Sequence, residues 1–378
     1  MKYGFGVWYS IYPNRQTIPS LIIILSQIIF MSFYKWLSLP VLFFLVTAFS
    51  AAAQRKKLPK VEIVHSGINT SLRGLSVVNN NVVWVSGSNG MVGKSTNGGK
   101  NWKWMTVKGF EKNDFRDIEA FDASTAIIMA IAEPAYILRT TDGGDTWKVV
   151  YENKTKGMFL DAMEFRDVRN GIVIGDPVDG RFFIAETNDG GQTWKEFPAE
   201  QRPVADSGEA FFAASGTNIR YLYNKSVVFA SGGKNSRLFY YYTSLDIPMT
   251  KGKETAGTNS VAVYDNYKKS KANRIIVVGG DFTADSSNEN NCFISINGGK
   301  SWNRPKTPPR GYRSCVEFLD RETIVTCGLN GVDYSYDGGK NFFLISTEGF
   351  NVCRFARFGN TVYLAGTNGK IGKLVWPE

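Results

Sequence analysis

The sequence predicts an all-β fold, a seven-bladed β-propeller of four-stranded blades closed by pairing an N-terminal strand (about 60–65) with the last blade. Three observations lead there. An eight-residue pattern occurs five times, as Ser95–Trp102, Thr140–Trp147, Thr187–Trp194, Ser295–Trp302 and Ser335–Phe342. Adjacent copies end 45, 47 and 40 residues apart, and the 108 residues from Trp194 to Trp302 fit two modules. Modules of about 40–50 residues built from short alternating strands have the period of propeller blades.

Taken in order, residues 1–53 hold Lys2, Arg15 and Lys35 and no acid. Ser20–Tyr34 and Trp36–Ala53 are apolar runs on either side of Lys35. The second reads as a signal peptide over residues 31–53: it starts at Met31, has Leu37–Phe49 as its core, and ends on Ala51-Ala52-Ala53 as the cleavage site. Residues 1–30 are either an extension upstream of the true start or an extra hydrophobic segment. Each run is shorter than the roughly 20 residues that span a bilayer comfortably. Residues 54–378 are then a single propeller domain, periplasmic or secreted, with no stable membrane span after signal cleavage. It is expected to be a monomer.

Within each module a first strand opens at a polar residue. These openings fall near Arg73, Arg116, Asp161, Glu209, Asn259, Arg313 and Asn351, which makes seven modules. A strongly apolar second strand follows, as in Val82–Gly87, Ile172–Asp176 and Ile275–Asp281. The third strand leads into the repeated turn and the fourth leaves it. One module between Trp194 and Trp302 has a degenerate copy, Tyr242-Thr243-Ser244-Leu245-Asp246, without the glycines. The last module ends after three strands, so Val61–His65 is expected to supply its fourth. Ring closure of this kind removes the exposed edges that invite aggregation.

Each repeat has a hydroxyl residue, an Asp or Asn two positions on, two glycines and a closing aromatic. Asp or Asn can bond its own backbone two residues later, and Gly supplies the positive φ of a tight turn. The unit reads as a tied hairpin with a buried ring at its exit. The pattern closely resembles the Asp-box (bacterial neuraminidase, BNR) repeat. That resemblance implies a place between third and fourth strands of propeller blades, away from the active face. Longer segments, Gly208–Thr217, Val277–Asp281, Gly311–Ser314 and Gly328–Asp333, resemble exported bacterial propellers related to the photosystem II stability/assembly factor. Members of that family are often labelled oxidoreductase or glycosyl hydrolase. The photosynthetic ones look like assembly factors that bind a protein client through a basic face.

Beyond residue 53 lie 41 of the 44 basic and all 34 acidic residues, a net charge of +7 without Lys/Arg blocks, so no nucleic-acid partner is expected. A lone histidine, His65, argues against a His-based triad or a multi-histidine metal centre, and no metal is expected. Gly90–Ser95 lacks the first glycine of a phosphate loop, since position 88 is Ser. No βαβ unit accompanies the glycines, and no cofactor is expected. Cys292, Cys315, Cys327 and Cys353 either form disulfides, in one of three full connectivities, or stay buried thiols. Cys315 and Cys327 flank a hairpin, and Cys353 is a competing partner.

The start of each first strand and the end of each second lie on the face opposite the repeated turns. That face collects the ligand-binding candidates Arg73, Arg116, Asp117, Asn259 and Arg313, with Asp176 and Asp281 at second-strand ends. Mutually neutralising Arg and Asp/Glu would make it the mouth of a hydrated channel. The arginines would otherwise grip a carboxylate, sulfate or polyol of a glycan or protein ligand. A second reading is catalytic. Asp161 and Glu209 open adjacent inner strands, and two carboxylates are the minimum for glycoside hydrolysis. With Tyr312 and three arginines they match a sialidase inventory, so a glycoside hydrolase or polysaccharide lyase is the alternative. A third reading is an assembly or stability factor for an envelope complex.

Overall fold

Seven antiparallel sheets make up the computed structural model of the chain, which describes residues 57–222, 226–241, 243–264 and 274–377. The chain divides into Met1–Lys57 and Leu58–Glu378, and the strands of the described residues lie in the second unit. The expected signal peptide and the segment before it lie outside the described residues. A single 3₁₀ turn, Ala199–Gln201, is the helical content of the described residues, where no helix is long and apolar enough to cross a membrane.

Blades 1 to 7 begin with the inner strands Leu72–Val77, Phe115–Ala120, Leu160–Phe165, Ile219–Tyr221, Ala256–Tyr264, Cys315–Phe318 and Val352–Phe355. Lys60–His65 pairs antiparallel with Ile371–Val375 and completes blade 7, as the sequence predicts. Val61 and Val64 pack against a core shared by blades 1, 6 and 7, so closure buries side chains as well as saturating an edge.

The repeated turns lie between third and fourth strands, held by bonds that reach further than the two residues expected of the Asp or Asn side chain. In Thr140–Trp147 the Gly144 amide donates to Thr140 Oγ1 (3.0 Å) and the Thr140 hydroxyl donates to Asp142 Oδ1 (2.8 Å). Asp142 Oδ1 then accepts the amide of Thr146 (2.9 Å), four residues on. Gly143 and Gly144 sit at φ +78° and +89°. The other four copies repeat the hydroxyl-to-glycine and carboxylate-or-amide contacts. The closing tryptophans are half-buried, and only Phe342 is buried as expected.

Blades 4 and 5 depart from the regular plan. In blade 4, Arg237–Tyr240 and Thr243–Asp246 form a tight hairpin with Tyr240 opposite Thr243, so Thr243–Asp246 is the fourth strand itself rather than a degenerate turn. The first strand is split: Glu209–Ala210 pairs with Gly232–Gly233 and joins the blade 5 sheet, and the ladder resumes only at Ile219. In blade 5 the outer strand shrinks to a bridge between Asn303 and Ile294.

The residues looped out of the split strand, 211–217, fill the upper channel and touch all six other blades. Arg73 of blade 1 donates to Ala214 O (3.2 Å), and Phe211 N donates to Asp176 Oδ1 of blade 3 (2.9 Å). Val261 N of blade 5 donates to Thr217 O (2.9 Å). Ser215 Oγ donates to Ser314 O of blade 6 (2.8 Å), and Arg354 of blade 7 donates to Gly216 O (3.1 Å). Gly216 lies against the Asp117 carboxylate of blade 2, at φ +62°, with no room for a Cβ. The channel is therefore plugged at this face by its own chain.

Candidate functional site

Arg73, Arg116, Asp161 and Asn259 share one structural position. In each case the ladder between first and second strands skips that residue: Leu72 and Gly74, Phe115 and Asp117, Leu160 and Ala162, and Thr258 and Ser260 are paired while the intervening residue is not. A β-bulge re-aims the extra side chain out of the regular alternation. Here it turns polar residues away from the blade interfaces at the rim of the channel.

Beside the plug three of these bulges, at Arg73, Arg116 and Asn259, border a pocket of about 220 Å³, lined also by Phe212, Phe282, Tyr312 and Leu329 among others. Phe282 stands edge-on to Phe212 (centroids 6.1 Å apart) and to Tyr312 (6.3 Å), forming an aromatic wall. Phe282 and Leu329 are 40% and 46% exposed, so the rim is apolar and open to solvent. Arg116 uses Nε to bond Asp114 (2.8 Å), which leaves its terminal nitrogens unassigned by that contact. Burial, then the nearby Arg116 charge, lowers the pKa of Arg73, with Asp114 acting against them. Two guanidiniums that crowd each other favour an anion between them.

The other candidates are held elsewhere. Arg313 is fully buried, and its guanidinium is taken up by Asp333, Tyr312 O and Asn330 Oδ1. It anchors the 2–3 turn of blade 6 instead of facing a ligand. Asp117 is buried beneath the plug and accepts the amides of Ile118 and Met163; burial pushes its carboxyl up to about 8, against the pull of Arg354. Asp281 closes a local loop through Lys253, Thr255 and Thr283. Asp176 is bonded to the plug at Phe211, and burial raises it to about 6.

The three catalytic candidates do not form a reacting set. Glu209 is buried in a two-pronged pair with Arg237 and also accepts the Ser231 hydroxyl and the Asp206 amide. Asp161 is fully buried without a well-formed side-chain hydrogen bond, and burial, then the neighbouring Asp176, pushes its pKa well up. Tyr312 donates its hydroxyl to Asn259 Oδ1 (2.7 Å), so its partner is an amide and not a glutamate. Burial raises the Tyr312 pKa further.

Sequence reasoning missed the apolar half of the pocket, Phe212, Phe282 and Leu329. The available signal was a large apolar residue at each turn on the site face, next to strand ends. It also missed the deeper charge network, in which Arg220 bridges Glu164 (3.4 Å) and Glu317 (3.1 Å) and Arg357 meets Glu119 (2.6 Å). That network neutralises itself, as a channel lining was expected to, but beneath a plug. A larger hollow of about 470 Å³ lies on the opposite face, between the blade 3 turn and Tyr221 and Tyr241. It lacks the bulged side chains, and the rim pocket is the stronger candidate on that ground.

The fold and repeats thus define a seven-bladed Asp-box propeller with an arginine-and-aromatic pocket at its plugged mouth. Residues 53–158 match the family model described as photosynthesis system II assembly factor YCF48. The structure is similar to one described as YCF48 bound to D1 peptide, with 14% identity, 86% of this chain and 100% of that chain covered, and a TM-score of 0.61. It is also similar to YCF48 from Cyanidioschyzon merolae, with 16% identity, 83% and 98% covered, and a TM-score of 0.60. The WD40 propeller domain of Doa1 matches with 12% identity, 86% and 99% covered, and a TM-score of 0.56. Comparison with the curated proteins found no match. The chain therefore resembles the photosystem II assembly-factor propellers, in sequence over its closing strand and first two blades and in fold around the ring.

Proposed function

We propose that this propeller is a binding protein for an extended protein segment, acting as an assembly or stability factor for a client complex. The carrying observation is the pairing of Arg73 and Arg116 with the half-exposed wall of Phe212, Phe282 and Leu329 in one pocket. A peptide carboxylate, from an acidic side chain or a chain terminus, would take two guanidiniums, while a neighbouring apolar side chain would rest on the rings. The likeness to a propeller described as bound to a peptide supports this class of ligand. An exported location is part of the proposal, motivated by Met31–Ala53.

Arrays of peptides and of glycans probed with residues 54–378 test it. Peptides carrying a carboxylate beside apolar residues should be retained, and Arg73→Ala with Arg116→Ala should abolish retention. Phe282→Ala should weaken it. Selective capture of glycans, with no peptide bound above background, would overturn the reading.

A further inference from the structure

Three of the four cysteines converge on one buried point. Cys315 and Cys327 are direct cross-strand partners in blade 6, and Cys353 lies in the first strand of blade 7. Their Sγ atoms all lie within 4.8 Å of one another, with Cys315 and Cys353 3.6 Å apart. All three side chains are fully buried and none is in a disulfide. Cys292, in the third strand of blade 5, is outside this group.

Buried cysteines ordinarily act as small apolar fillers, spread singly through a core. A disulfide would use two of these sulfurs and leave the third without a role. Metal–sulfur bonds of about 2.3 Å arranged as a flat triangle place the sulfurs about 4 Å from one another. The observed separations bracket that value. Thiolates select soft ions such as cuprous copper, zinc and iron clusters, but structural zinc and iron clusters ask for four ligands. Among the described residues no further Cys, His, Asp or Glu ligand atom joins the group. Three thiolates and one monovalent ion carry a net charge of minus two. The buried guanidiniums of Arg354 and Arg313 act on Cys315 and Cys327 respectively and offset part of it. Thr217, the last residue of the plug, stands 3.7 Å from Cys315 Sγ and covers the site.

We propose that Cys315, Cys327 and Cys353 form a trigonal thiolate site for cuprous copper, seated beneath the plug at the junction of blades 6 and 7. On binding, the three S–H protons leave to solvent and three copper–sulfur bonds form. The ion stays monovalent and no electron is transferred. Bound metal would tie the blade 6 hairpin to blade 7, the blade that the N-terminal strand closes.

The test uses the full chain, produced with copper supplementation, purified without oxygen and challenged with the Cu(I) chelator bathocuproine disulfonate. The expected result is one retained Cu(I) per chain, with X-ray absorption showing sulfur ligands alone. Copper should be lost in Cys315→Ser, Cys327→Ser and Cys353→Ser and kept in Cys292→Ser. Serine in a core can impair folding, and the absorption spectrum of the unaltered chain answers independently of the variants. A natively folded chain without copper, a four-ligand zinc site, or a Cys315–Cys353 disulfide in the native chain would each overturn the proposal.

Discussion

Replacing Gly216 by Ala tests whether the plug is as tightly fitted as its contacts indicate. An added Cβ would lie 2.3 Å from the carboxylate of Asp117, well inside van der Waals contact. Asp117 cannot swing away without breaking its bonds to the Ile118 (2.9 Å) and Met163 (2.7 Å) amides. Gly216 also sits at φ +62°, where an L side chain costs about 1–2 kcal/mol. Overpacking adds about 1–3 kcal/mol. The sum is roughly 2–5 kcal/mol, which lowers the melting temperature by about 4–10 °C at ~2 °C per kcal/mol for a larger domain. Gly180→Ala is the control: φ is +75° but nothing lies within 4 Å of the new methyl. It should cost the backbone term alone, about 2–4 °C. Adding Asp117→Ala to Gly216→Ala should recover the steric part, so that the double variant is less destabilised than the sum of the two single ones. Differential scanning fluorimetry on the four variants suffices. Equal melting of Gly216→Ala and Gly180→Ala, or absence of coupling, would refute the steric argument.

Three further outcomes follow from the same contacts. Deleting Lys60–His65 removes five paired positions from blade 7. At roughly 1 kcal/mol per ladder bond the loss is about 5 kcal/mol before any side-chain burial is counted, so the truncated chain should melt far below the intact one. Glu209→Ala should leave the half-buried Arg237 relying on Val204 O (2.9 Å) and the longer contact to Asp206 (3.7 Å), cost about 1–3 kcal/mol, and show itself in thermal melting; a variant as stable as the parent would contradict the structural role. Stability should also fall as pH rises from 5 to 8. Burial holds Asp117 near 8 and Asp176 near 6 against an ordinary 3.8, so the folded state binds protons that the unfolded state has released. Their contribution is complete below about pH 4 and lost as pH rises through 6 and then 8. Asp189 works in the opposite sense: despite some desolvation, the Thr193 and Thr187 hydroxyls and nearby amides hold it at about 2, and its contribution disappears as pH falls from about 4 to 2. Melting curves that rise between pH 5 and 8 would refute the assignment.

What could be read from the sequence divides along the range of the interactions involved. The repeated turns are local: hydroxyl, carboxylate and glycine meet within eight residues, so five copies dated the blades and the spacing counted them. Closure by Lys60–His65 was also legible, because the last module visibly lacked a strand that an alternating segment near the start could supply. The bulged positions were legible for the same reason, since Arg73, Arg116, Asp161 and Asn259 recur at equivalent points of four modules. The plug was not. Residues 211–217 read as part of a first strand, and only contacts with six other blades, spread from Arg73 to Arg354, remove them from it. Once the loop occupies the channel, the fate of the remaining candidates follows by position. Asp117 lies under it and becomes a buried acid, and Asp176 becomes its anchor. Glu209, at its entry, is pulled into a pair with Arg237, while Arg73 and Arg116 stay at its open side. The loop that follows Glu209 also builds the pocket, contributing Phe212 to the aromatic wall and Ala213 and Ala214 to its lining. A propeller that fills its own channel at the face where its arginines emerge leaves a shallow, half-apolar notch at the rim. Guanidiniums beside exposed rings in such a notch are the geometry on which the proposed peptide binding rests.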